Sequence, residues 1–190
     1  MFESDYLKLI QHAKGKDKEN EKPDESLMAF KLDDSDGIAK AVGFHAAMLS
    51  KVDYFLSNNH VIQLIELSDL AADIKQYNDN IEKILNHLKE TQKKQIDKSQ
   101  EKDIVKEAWK DSKTEFMKKW LGSIAVVERL YRKNNESADT DPSYELLIVC
   151  KNHTDVKMLD GLKNQLIGMI AKVKICDTST LKSHLIKQIL

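Results

Sequence analysis

The 190-residue sequence predicts an α/β fold, a mixed β-sheet flanked by helices, with a long antiparallel helical hairpin inserted between its strands. Three observations carry this. From Val52 to Asp69, β-branched and aromatic residues flank the polar pair Asn58-Asn59, the pattern of two short strands joined by a turn. From Leu67 the apolar period changes: Leu67, Leu70, Ile74, Tyr77, Ile81, Ile84 and Leu88 recur at alternating steps of three and four, a coiled-coil-like heptad seam. Beyond Ser143, the run Tyr144-Glu145-Leu146-Leu147-Ile148-Val149-Cys150, a helical pattern and Val173-Lys174-Ile175-Cys176 make a βαβ unit. No internal repeat is visible. The chain therefore reads as one α/β domain over residues 1–190, with residues 70–133 as the helical insertion.

Taken in order, Phe2 to Ala13 carries Tyr6, Leu7, Leu9, Ile10 and Ala13 at the spacing of a short amphipathic helix. Gly15 to Glu25 lacks apolar residues, contains Pro23, and reads as a solvated linker. Met28, Phe30 and Leu32 alternate as in a strand, which Asp33-Asp34-Ser35-Asp36-Gly37 ends. That acidic cluster is read as a turn, because Gly43 stands where a calcium loop needs its bidentate carboxylate. The alanines of Ile38 to Lys51 favour a helix there. The seam residues form the first arm of the hairpin and Lys89 to Asp103 its polar tip. Val105, Trp109, Ser112, Phe116, Trp120, Val127, Leu130 and Tyr131 form the returning arm. Asn134 to Ser143 is a second linker. The near-continuous apolar run after it is that of a strand buried on both faces. Thr154 and Ser179 are placed to cap the last two helices.

Thirty basic and thirty-one acidic residues leave a net charge of −1, so no global field draws the chain to nucleic acid or anionic membrane. Any polyanion contact has to come from a local patch, such as Lys89 to Lys119 with ten lysines against seven acids. No apolar run approaches the ~18–20 residues of a membrane span, and the first residues, Met1-Phe2-Glu3-Ser4-Asp5, are acidic where a signal peptide is basic. Cys150 and Cys176 lie in strand-like runs, which suits reduced thiols in the cytoplasm. Phosphate-cradling glycine loops, GxSxG elbows, CxxC pairs and helical histidine pairs are absent, which argues against the corresponding nucleotide, hydrolase and zinc chemistries.

Chemistry is concentrated in the strand pair. With a two-residue turn at Asn58-Asn59, Ser57 faces His60, Asp53 faces Leu64 and Lys51 faces Glu66. Asp53, Leu64, Glu66 and Ser68 then share one face, and Tyr54, Leu56, Ile65 and Leu67 the other. Asp53 and Glu66 become diagonal neighbours about 7–8 Å apart, close enough for both carboxylates to touch one cation. An early helix, an antiparallel pair bearing Asp then Glu, helices and a buried later strand resemble the PD-(D/E)XK, restriction-endonuclease-like superfamily, over roughly Lys51 to Cys150. The resemblance implies that Asp53 and Glu66 bind Mg²⁺ as a cofactor for phosphodiester hydrolysis. It also asks for a lysine at Ser68, where this chain departs from the pattern. Some members supply that lysine from the following helix, and Lys75 is the nearest candidate in the sequence.

Two functions follow. One is a Mg²⁺-dependent nuclease or a catalytically degenerate relative, acting on DNA or RNA, with Asp53, Glu66 and Lys75 as its site. The other is a non-catalytic subunit of an intracellular complex that docks a protein partner through the hairpin. In that second case Asp53 caps a strand end and Glu66 pairs with Lys51.

Overall fold

The computed structural model describes residues 4–12, 21, 23, 26–45, 48–58, 60–69, 79, 81–87, 90, 97, 99, 100, 103, 104, 107, 109–134, 141–152 and 156–187. Six strands form one sheet in chain order: β1 (Leu7–Leu9), β2 (Met28–Lys31), β3 (Tyr54–Ser57), β4 (Val61–Ser68), β5 (Ser143–Cys150) and β6 (Val173–Asp177). β1 to β4 are antiparallel neighbours, whereas β4–β5 and β5–β6 are parallel. The mixed sheet expected from the sequence is therefore present. Among the described residues, helices with defined ends accompany it: α1 (Ile38–Ala41), α2 (Lys110–Lys133), α3 (Val156–Leu166) and α4 (Leu181–His184).

The parallel connections explain which face each long helix covers. β4 to β5 and β5 to β6 step across the sheet in the same direction, so right-handed crossovers put both helices on one side. Phe116, Trp120, Val126, Val127 and Leu130 of α2 and Leu162 and Leu166 of α3 indeed share a core with Phe55, Ile62, Leu64, Leu146 and Ile148. The other face, with Tyr54, Leu56, Ile65, Leu147, Val149 and Cys176, is covered by Ile10, Leu181, Leu185 and Ile186. Gln63, fully buried on that face, donates to Glu145 Oε1 at 2.7 Å and the His184 carbonyl at 2.9 Å, and accepts from the Ile186 N–H. Both ends of the amide are satisfied, which fixes the last segment of the described chain across β4 and β5.

Several local expectations are corrected. Phe2–Ala13 is not a helix in its described part. A 3₁₀ turn at Ser4–Tyr6 leads into β1, where pairing with β2 overrides the helical spacing. Among the described residues of the stretch Ile38–Lys51, helix covers only Ile38–Ala41, because Gly43 takes φ 92° and turns the chain away. The β3–β4 register is shifted by two residues, Ser57 facing Ile62 and Phe55 facing Leu64. Asn58 causes the shift: its Oδ1 accepts the N–H groups of His60 and Val61, and its own N–H reaches the Val61 carbonyl, so Asn58 and Val61 close the turn and its centre lies one residue later than expected. A shift of two leaves every side chain on its expected face.

α2 is the long helix expected as the returning arm of a hairpin, and it is buried along Ser112, Phe116, Trp120, Ser123, Val127 and Leu130. Of the residues expected to form the first arm, 81–87 are helical. Ile81 is half-buried, but Ile84 is 45% exposed, contrary to the expectation that the seam is closed there. Leu70, Ile74, Lys75, Tyr77 and Leu88 lie outside the described residues. Among the described residues, no helix is long and apolar enough to cross a membrane.

Cys150 and Cys176 sit on neighbouring strands but in the cores of opposite faces, and both are free thiols. Burial pushes each thiol up to about 12. Neither is expected to react with a thiol reagent in the native protein near neutral pH, and both should react once it is unfolded. Native-state labelling at the unfolded rate would contradict this burial.

Candidate functional site

Three elements converge on the α2 face of the sheet. The β3–β4 register, continued by one residue beyond Tyr54–Ile65, sets Asp53 directly opposite Glu66. They are direct cross-strand neighbours instead of the expected diagonal ones, and therefore closer. The Asp53 carbonyl accepts the Leu32 N–H, tying this position to β2, while its carboxylate Oδ2 accepts the Leu67 N–H at 2.8 Å. Glu66 is 4% exposed, set between Leu64 and the end of β4 beneath α2.

The cation that meets Glu66 comes from α2. Lys119 Nζ lies 2.5 Å from Glu66 Oε1 and 3.3 Å from the carboxylate of Glu115, one helical turn earlier. Glu66 Oε2 is buried and has no hydrogen-bond partner among the described residues. Lys51, expected to pair with Glu66, instead binds Asp33 at 3.0 Å and donates to the Leu49 carbonyl. It precedes Asp53 by two residues but lies at the turn after β2, where Asp33 is the nearer acid. Lys75, the lysine proposed from sequence, is outside the described residues.

The docking of α2 sets where Lys119 points. Ser123 Oγ donates to the Lys119 carbonyl at 2.6 Å and accepts the Val52 N–H at 2.9 Å. One fully buried hydroxyl thus links the helix turn carrying Lys119 to the residue before Asp53. Gly122 lets the helix approach: a Cβ there would lie 2.1 Å from the Ser50 carbonyl oxygen.

Electrostatics follow from burial. Desolvation, with the Asp53 carboxylate second, pushes Glu66 up to about 8, against the opposing pull of Lys119. Burial also raises Asp53, opposed by the Leu67 N–H and by Lys31 and Lys119. For Lys119, burial works against the charge, but Glu66, Glu115 and Asp53 outweigh it and hold the ammonium above its ordinary value. Two carboxylates share one ammonium here, and the shortfall falls on Glu66.

Lys119 is the site residue that sequence reasoning missed, although a signal was present. On α2 it lies three residues after buried Phe116 and four before buried Ser123, within the stripe that faces the sheet. A lysine in an apolar stripe needs an acidic partner, and Glu66 was the acid in an apolar strand that needed a cation.

Among the described residues, no group of three or more His, Cys, Asp and Glu side chains could hold a metal. Asp53 and Glu66 are nevertheless the hard oxygen donors that Mg²⁺ takes, one or two carboxylates with the remaining positions left to water and phosphate oxygens. The unpartnered, buried Oε2 is an acceptor of the kind such an ion would satisfy. Comparison of the chain with models of known protein families, with curated proteins and with solved structures finds no match.

Proposed function

We propose that this protein is a metal-dependent nuclease, or a degenerate relative of one, acting on DNA or RNA in the cytoplasm. The observation that supports it most is Glu66: a carboxylate buried on the sheet face opposite Asp53, with one oxygen on Lys119 and the other without a partner among the described residues. In this reading Asp53 and Glu66 hold Mg²⁺, which would polarise a phosphoryl oxygen and lower the pKa of bound water. The Leu67 N–H fixes the orientation of the Asp53 carboxylate. Lys119 is placed for the role that the superfamily pattern gives to a lysine at Ser68, a role for which Lys75, outside the described residues, is the other candidate. From α2 its ammonium reaches the carboxylates and could also meet the phosphate charge of a substrate.

A second reading has its own support. The 45% exposure of Ile84, beside half-buried Ile81, favours a hairpin whose seam takes up a partner protein, with the sheet as scaffold. One assay separates the two. The full chain, incubated with single- and double-stranded DNA and RNA, should cleave at least one of them in Mg²⁺ or Mn²⁺. Cleavage should disappear with EDTA and in Asp53→Asn. A wild type inert towards all four substrates in both metals ends the enzyme reading and leaves the docking subunit.

A further inference from the structure

Resting on the divalent-cation reading above, we infer that Lys119 is the resident counter-ion of the Asp53–Glu66 pair. A divalent cation enters by exchange, moving the ammonium from Glu66 to Glu115. Lys119 already touches both acids, 2.5 Å from the oxygen of Glu66 and 3.3 Å from that of Glu115. The two acids differ in what they lose by being left alone. The Glu66 side chain is 5% exposed and has no access to compensating water, whereas Glu115 is 64% exposed and well hydrated. In the absence of a divalent ion the ammonium therefore belongs with Glu66.

Charge counting gives the direction of the exchange. Once both are ionised, Asp53 and Glu66 together carry two negative charges against the single positive charge of Lys119. A divalent ion balances the carboxylates by itself, and the ammonium then becomes surplus charge beside it, at a separation where repulsion is strong in a partly buried place. Glu115 gives that ammonium a destination. It lies four residues before Lys119, one turn along α2 and on its exposed side, so the terminal torsions of one side chain suffice. α2 stays docked through Ser123 and Val52, and no backbone movement is required.

The exchange makes Glu115 matter only through Lys119, which a double-mutant cycle can read. Mn²⁺ binding to the full chain would be measured by calorimetry at one pH and ionic strength, for wild type, Lys119→Met, Glu115→Gln and the double variant. Lys119→Met should bind about tenfold more tightly, since the competing cation is gone. Glu115→Gln should bind several-fold more weakly, since the displaced ammonium has lost its acceptor. The double variant should match Lys119→Met. Glu115 is exposed, so its variant is informative even if Lys119→Met folds poorly, and an unchanged affinity in Glu115→Gln overturns the exchange. An equal weakening by Glu115→Gln in both backgrounds also overturns it, because the acid would then act on the ion directly. Those outcomes leave the metal site standing; Mn²⁺ binding by none of the variants removes the site and the exchange together.

Discussion

Glu66→Gln is expected to stabilise the metal-free protein in mildly alkaline solution while removing the metal-dependent cleavage proposed for it. Burial and the Asp53 carboxylate raise Glu66 to about 8 from an ordinary 4.5, so folding takes up a proton between those values. The native state binds more protons than the unfolded one there, and wild-type stability must fall as pH rises through that window. The effect is complete only above the native value, where folding has to bury the ionised carboxylate. Glutamine does not titrate. Relative to wild type, the variant should gain roughly 2–4 kcal/mol at about pH 9 and little or nothing at about pH 5. Lys119 keeps the Glu115 carboxylate and its partial exposure, so losing Glu66 does not strand the ammonium. A divalent ion should reverse the order of stability, since it stabilises wild type by mass action and has lost a ligand in the variant. Cleavage should fall by about 10²-fold or more, the scale of several kcal/mol of metal-derived stabilisation. Melting curves across pH, with and without Mn²⁺, together with one cleavage assay, cover all of this. A variant that is less stable than wild type by roughly 1–3 kcal/mol at every pH, with no response of wild type to Mn²⁺, would mean that Glu66 is only the anion of a structural pair with Lys119.

How far the sequence disclosed this arrangement depends on the range of the interaction involved. The strand pair was legible because period-two alternation is a local property, and parity survived even though the register did not. The Asn58 side chain moved the turn one residue along the chain, which shifts the pairing by two, and an even shift keeps Asp53 and Glu66 on one face. β5, α3 and β6 were legible for the same local reason, a run of apolar residues followed by a helical period. β1 was not: Leu7 and Leu9 fit helical and strand spacing equally, and what decides between them is β2, some twenty residues on. The short extent of α1 was hidden similarly, since alanine favours helix locally while Gly43 and the return to Val52 turn the chain away. In the candidate site, both acids could be read because they lie on adjacent strands. Lys119 lies 53 residues from Glu66, on a helix whose rotation about its own axis is set by tertiary docking. Sequence distance pointed to Lys75. Stripe position pointed to Lys119.

Gly122→Ala is expected to be the most damaging single methyl addition on α2, because that docking leaves no room for it. The added Cβ would lie 2.1 Å from the Ser50 carbonyl oxygen, 3.3 Å from its carbonyl carbon and 3.4 Å from Leu49 Cβ. The obstacle is backbone, which cannot rotate aside as a side-chain tip can. The helix must retreat by about 1 Å to restore van der Waals separation. That retreat acts on Ser123, the next residue, whose hydroxyl both accepts the Val52 N–H and donates to the Lys119 carbonyl. Overpacking of this kind costs roughly 1–3 kcal/mol, an unsatisfied buried N–H about as much again, and the better helix propensity of alanine returns only about 1 kcal/mol. A net loss of about 3 kcal/mol should lower the melting temperature of a chain this size by roughly 6–12 °C. Gly168→Ala is the control. Its φ of 88° strains any side chain, but nothing lies within 4 Å of the new methyl. It should cost only about 1 kcal/mol and roughly 2–4 °C. The retreat also draws Lys119 away from Glu66, so Gly122→Ala should bind Mn²⁺ with altered affinity at temperatures where it is still folded, whereas Gly168→Ala should bind it as wild type does. Equal melting temperatures for Gly122→Ala and wild type would show that α2 is not seated on residues 49–52, and that the placement of Lys119 over the carboxylates has another cause.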